Sequence, residues 1–311
     1  MKRVRELLAL ASAWLCLAAA ADGPVSIPPL TAADVVAVVG GTQTAAAADG
    51  GYLETLLAFR SADGAPRFRD LSWEGDTVFM RPRQVNFPGL TQQLKVAGAT
   101  LVLLQFGQME SLAGLSGRSD FSMAYGTLVK EVRAVVPRVV LLTPPPFAVD
   151  GPLDPATVTA RNRDLAAYVE VIRQWGQREQ IPVVDVFAAL LPQAGTPGLT
   201  VDGVQLSERG QKQMARSVAA GWGPVLDPDW TVLEPVRQAV VARNQLWFRY
   251  WRPTNWAFLA GDRTEQPSSR DHRDRNIRWF PKEMEEYVPL IHAADARISQ
   301  QVRTAQPEAA R

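Results

Sequence analysis

Val35-Val36-Ala37-Val38-Val39 is an unbroken apolar run, rich in β-branched residues, that stops at Gly40-Gly41 with Thr42 next. A segment with no polar face suits a strand covered on both sides, as in the middle of a parallel sheet. Residues 101–106 and 139–143 read the same way, the second ended by Pro144-Pro145-Pro146; residues 183–187 give a further strand and 68–71 a short one. Helical spacing of apolar residues falls between them, at 52–59, 121–136, 162–177 and 207–222. Strands alternating with helices predict an α/β fold, a three-layer α/β/α sandwich around a central parallel sheet. Ligands on such sheets sit at the carboxyl ends of the strands. The loops after Val39, Leu71, Phe106 and Phe187 are therefore expected to converge on the functional site.

Outward from this core the chain changes character at both ends. Residues 1–5 are basic, 7–20 are apolar, and Ala18-Ala19-Ala20-Ala21 leads into Asp22-Gly23-Pro24. That is the layout of a secretory signal peptide over residues 1–21, and it predicts a secreted or periplasmic protein; an uncleaved anchor is the alternative. Cys16, the only cysteine, lies within it, so the mature chain would have no disulfide, thiol nucleophile or thiolate metal site. No cofactor or metal is expected. With 33 Lys and Arg against 32 Asp and Glu, the charge gives no case for nucleic acid or an anionic membrane. The sandwich is expected over residues 32–226 and a mainly helical, aromatic extension over 227–303, with a helix at 280–298. Residues 304–311 read as a disordered tail. Trp247, Phe248, Tyr250, Trp251, Trp256 and Phe258 read as docking the extension onto the main domain, with Arg249 and Arg252 stacked on the rings. Sugar binding by these rings is the alternative.

The strand-end loops resemble the blocks of the SGNH/GDSL-type esterases over about residues 35–219. The family's Gly-Asp-Ser nucleophile motif corresponds here to Gly40-Gly41-Thr42. Its second block, with an oxyanion glycine, corresponds to residues 68–77, with Gly75 in place. Its Gly-x-Asn block corresponds to Gly107-Gln108-Met109, which puts Met109 where the oxyanion asparagine belongs. Its Asp-x-x-His block corresponds to Asp202-Gly203-Val204-Gln205, which puts Gln205 where the base belongs, and Ser207-Glu208-Arg209-Gly210 continues as in the family. The stretch Arg249-Tyr250-Trp251-Arg252-Pro253-Thr254-Asn255 resembles an extension of one bacterial subset with degenerate catalytic blocks. The resemblance implies an ester hydrolase fold.

The substitutions bear directly on the chemistry. A hydroxyl is a weak nucleophile without an adjacent base. The amide of Gln205 does not titrate, and the thioether of Met109 donates no hydrogen bond. Loss of one oxyanion donor costs about 10²–10³ in rate, and loss of the base roughly 10⁶. The expectation is a pseudoenzyme that keeps a pocket for a small acyl or carbohydrate ligand. One alternative is a divergent carbohydrate or acyl ester hydrolase using Thr42, with a carboxylate such as Glu110 as substitute base; either of the two histidines, His272 or His292, could also serve. Another is an assembly protein that binds a protein partner through residues 247–298. Asp70, Asp76, Glu110 and Asp202 could also pair for glycoside or metal chemistry; the favoured reading is that they brace loops and turns.

Overall fold

The computed structural model describes residues 25–61, 64–225 and 229–309; the expected signal peptide lies outside them. Five strands form one parallel sheet: β1 (Val35–Gly40), β2 (Arg67–Asp70), β3 (Leu101–Gln105), β4 (Val139–Leu142) and β5 (Val183–Val184), in the order β2-β1-β3-β4-β5. The two-residue period of a strand sends alternate side chains to opposite faces. Val36 and Val38 of β1, with Leu101 and Leu103 of β3, enter one apolar core. Ala37 and Val39, with Val102 and Leu104, enter the other. This is the physical reason for the unbroken apolar runs: both faces are covered.

One face is covered by α2 (Tyr52–Arg60) and α7 (Glu208–Ala220), the other by α3 (Leu90–Ala97), α4 (Arg118–Arg133) and α5 (Pro155–Glu179). The chain winds one way to β2 and the other way through β3, β4 and β5. The topological switch lies between β1 and β3, where such sheets leave a crevice at the carboxyl ends. A short helix, α1 (Thr42–Gly50), begins at that point.

Three local expectations are corrected. The strand expected at 183–187 ends at Val184, because Asp185 caps a helix, α6 (Val186–Leu190), by accepting from the Ala188 N–H at 3.0 Å. Residues 304–309, expected as a disordered tail, continue the last helix, and Ala305 is buried in the core. That helix, α10 (Trp279–Ala309), also begins earlier than expected and pairs with α8 (Trp230–Trp251); the short α9 (Trp256–Leu259) lies between them in sequence.

The C-terminal helices share the core of the sandwich. Leu233, Val236 and Val240 of α8 and Ile298 and Val302 of α10 pack with Phe68 of β2 and with α2. Strand β2 is the edge of the sheet, and the carbonyls of Phe68 and Asp70 point away from β1 because the alternate residues, Arg67 and Leu71, donate to it. Both carbonyls are satisfied without another strand. The Arg69 guanidinium donates to Phe68 O at 2.7 Å and the Trp247 indole to Asp70 O at 2.7 Å. A buried charge cluster adds to the join: Arg243 pairs with Glu54, and Asp295 accepts two bonds from Arg69 at 3.2 and 2.6 Å. Pairs so deeply buried are tolerated only with their partners present.

Candidate functional site

Helix α1 starts directly after β1, so Thr42 stands at the carboxyl end of the sheet, where the switch point opens. The loop after β2 is drawn over it. Trp73 N–H donates to Gly40 O at 3.2 Å, and a tight turn is closed by Asp76 N–H donating to Trp73 O at 3.0 Å. Gly75, at the third position of that turn, has φ +80°, the left-handed conformation that a type II turn requires there. Its N–H is thereby aimed at Thr42 and donates to Oγ1 at 3.3 Å. A side chain at Gly41 would meet the Asp76 carbonyl at 2.6 Å, so the two loops approach this closely only because that residue is glycine.

The loop after β3 closes the far wall. Thr42, Gly107, Met109 and Glu110 line one small cavity of about 20 Å³. That is room for about one water molecule within a recess that opens to solvent. Met109 is partly exposed at 40 %.

Two glutamines that sequence reasoning did not single out dominate the interior. Gln43 Nε2 donates to Gln108 Oε1 at 3.0 Å and to the Val204 carbonyl, and the Leu206 N–H donates to Gln43 Oε1 at 3.4 Å. Gln108 Nε2 continues to Pro145 O at 3.1 Å. Three loops are thus tied to the start of α1 by neutral amides at the place where the last block meets the first. The one available signal was Gln43 itself, an amide in the first turn of a helix that starts beneath the loops.

The remaining site residues are spent on structure. Glu110 is buried, and its two carboxylate oxygens accept from Val78 N–H and Gly107 N–H, each at 2.8 Å. Burial raises its pKa and those backbone bonds oppose the rise. It staples two loops together at the edge of the recess that holds Thr42, with no hydrogen bond between the two. Asp202 Oδ1 accepts from Val204 N–H at 2.9 Å and Gln205 N–H at 2.7 Å, and so shapes the turn that carries Gln205. Asp76 is held by Arg83 through two bonds of 2.7 and 2.6 Å. His272 is exposed beside Asp271 and His292 is exposed on α10. Among the described residues, no hydrogen bond joins Thr42 to a carboxylate or an imidazole, and no group of three or more His, Cys, Asp or Glu is placed to hold a metal.

The arrangement at Thr42 is the skeleton of an acyl-transfer site: a hydroxyl at a strand-to-helix turn with a glycine N–H beside it. The model of the GDSL-like Lipase/Acylhydrolase family matches residues 35–213, more than half of the chain. The chain belongs to this family. Among solved structures it is similar to a lipase/acylhydrolase from Enterococcus faecalis, at 18% identity and TM-score 0.47, over 60% of this chain and 95% of that one. It is also similar to a catalytic mutant of an acetylxylan esterase from Geobacillus stearothermophilus, at 16% identity and TM-score 0.45, over 64% and 98%. No curated protein matches it in sequence. The GDSL-like family match ends at residue 213, before α8, so the C-terminal helices lie beyond what the match covers.

Those helices press on the Gly75 loop. Arg252 stacks over Trp73 at 3.7 Å and pairs with Glu74 at 2.7 Å, and Arg83 lies over the same ring at 4.2 Å. Trp251 meets Trp73 edge-on at 5.6 Å, and Trp256 meets Phe87 at 4.7 Å. Trp247, Trp251, Trp256 and Arg252 therefore dock the extension onto the GDSL-like domain; Phe248 is 42 % exposed.

Proposed function

We propose that this protein is an exported, non-hydrolysing member of the GDSL-like family, secreted or periplasmic, that uses the fold to bind a small acyl or carbohydrate ligand or a partner. The observation that carries the reading is the isolation of Thr42. Its hydroxyl has the Gly75 N–H beside it, and among the described residues no hydrogen bond joins it to a carboxylate or an imidazole. Acyl transfer by a hydroxyl needs an adjacent base. At the base position stands Gln205, an amide, and at the oxyanion position stands Met109, which donates nothing. The Gln43–Gln108 bond supports the same conclusion. Export is supported by the signal-peptide pattern of residues 1–21 alone.

The test is a panel of short p-nitrophenyl esters and acetylated sugars, run on the wild type beside Thr42→Ala. Both are expected at the uncatalysed rate. A wild-type rate well above background that vanishes in Thr42→Ala would overturn the reading and favour a divergent hydrolase.

A further inference from the structure

Between α1, the loop after β2 and α8 lies a second cavity, of about 550 Å³. Pockets for small molecules run roughly 300–1,000 Å³. Three observations define its chemistry. First, Asp70 lines it while being 8 % exposed, and the partner found for its carboxyl is Ser72, whose N–H donates at 3.1 Å. Among the described residues no ion pair joins it to a cation. Second, Asn244, also 8 % exposed, uses its amide nitrogen on Ala48 O and Glu54, and its side-chain oxygen is left without a partner. Third, Asp49 stands at the exposed rim with no ion pair, whereas the nearby Arg252 is committed to Glu74 and to the Trp73 ring. The walls include the indoles of Trp247 and Trp251.

The unspent polar groups include the acceptors of Asp70, Asn244 and Asp49 and two donors, the Trp251 indole N–H and the exposed Arg249 guanidinium; the buried end of the cavity holds Asp70. Aromatic rings, which attract cations to their faces, form part of the wall; Arg69 already lies over Trp247 at 5.1 Å, which leaves Trp251 for a further cation. The geometry points to this cavity as a binding site for an organic cation, an ammonium group that donates to Asp70 and carries an apolar or aromatic body against Trp247 and Trp251. Burial, reinforced by the carboxyls of Glu54 and Glu74 and opposed by the bonds from Ser72, pushes Asp70 up to about 8. A buried carboxyl without its counter-ion behaves in this way. An ammonium ion would supply that counter-ion. A neutral sugar would leave the charge uncompensated. This inference goes beyond the reading of the Thr42 site and does not depend on it.

The test is calorimetric titration of the full chain at about pH 8, where an alkylammonium is charged, with benzylammonium, its neutral counterpart benzyl alcohol, and xylose. Benzylammonium is expected to bind at least about tenfold more tightly than either, a gap of about 1.4 kcal/mol. Asp70→Asn, which keeps the shape and removes the charge, is expected to abolish that preference. Should Asp70→Asn fail to fold, Asp49→Asn at the exposed rim is expected to weaken benzylammonium alone. Equal binding of benzyl alcohol, preferential binding of xylose, or full ammonium affinity in the folded variants would overturn the proposal. Ester hydrolysis is unaffected by any of these outcomes, so failure here is distinguishable from failure of the reading of Thr42.

Discussion

Helix α1 lends residues to two recesses, and the recesses differ in size and in chemistry. At its start, Thr42 and Gln43 face a shallow space of about 20 Å³ with amides in its floor. Further along, Ala45, Ala48 and Asp49 face a space of about 550 Å³ with carboxyls and indoles in its wall. The first keeps a hydroxyl beside a glycine N–H, and the two carboxylates in its wall, Asp76 and Glu110, are held by Arg83 and by backbone N–H groups. The second is walled by α8, beyond the family match, and holds a carboxyl whose proton affinity is strongly altered. The framework around Thr42 rests on glycines and buried amides.

The comparison can be broken most forcefully at the join that creates the second recess. Arg243→Ala leaves Glu54 buried and unpaired, and is expected to cost about 3–5 kcal/mol of stability in urea unfolding. A loss under about 1 kcal/mol would mean that the charge cluster does not hold α8 in place. Next, restoring the first recess with Thr42→Ser, Met109→Asn and Gln205→His together is expected to raise p-nitrophenyl acetate hydrolysis roughly 10²–10³-fold over the parent. A silent triple variant would place the block in the Gln43–Gln108 bond and not in residue identity.

The third effect is smaller per step and belongs to the second recess. Asp70 holds its proton up to about 8 in the folded chain, against an ordinary carboxyl value of 3.8. Between those values the folded state binds the extra proton, so stability present at acid pH falls as pH rises through the window, by up to about 1.4 kcal/mol per pH unit. Thermal unfolding from pH 4 to pH 8 is expected to show a flatter profile in Asp70→Asn. An unchanged profile would mean that Asp70 ionises normally.

The sheet was legible because residues 35–39 and 101–105 must be apolar on both faces, and that leaves an unmistakable pattern. Helix α1 was not: Thr42–Gly50 is mostly Ala and polar residues, and small side chains bury without producing a stripe. The ends of β5 and α10 were missed for similar reasons. Asp185 looks like an ordinary strand residue until its cap to Ala188 is seen, and Val302 and Ala305 give too weak a signal in a polar stretch. At the site, motif order named Thr42, Gly75 and Met109, and the structure has Gly75 N–H donating to Thr42 and Met109 in the same recess. The roles of Gln43, Gln108 and Glu110 depend on contacts between loops far apart in sequence, such as the 65 residues separating the two glutamines.

The two outward carbonyls of β2 carry a consequence for how the chain can be shortened. A protein cut back to the length of the family match would lose Trp247, and Asp70 O would stand open on the rim of the sheet. It would also lose Asp295, which fixes the Arg69 guanidinium that covers Phe68 O. An exposed strand border recruits other strands. Such a fragment is expected to self-associate, which size-exclusion chromatography against the full chain would show.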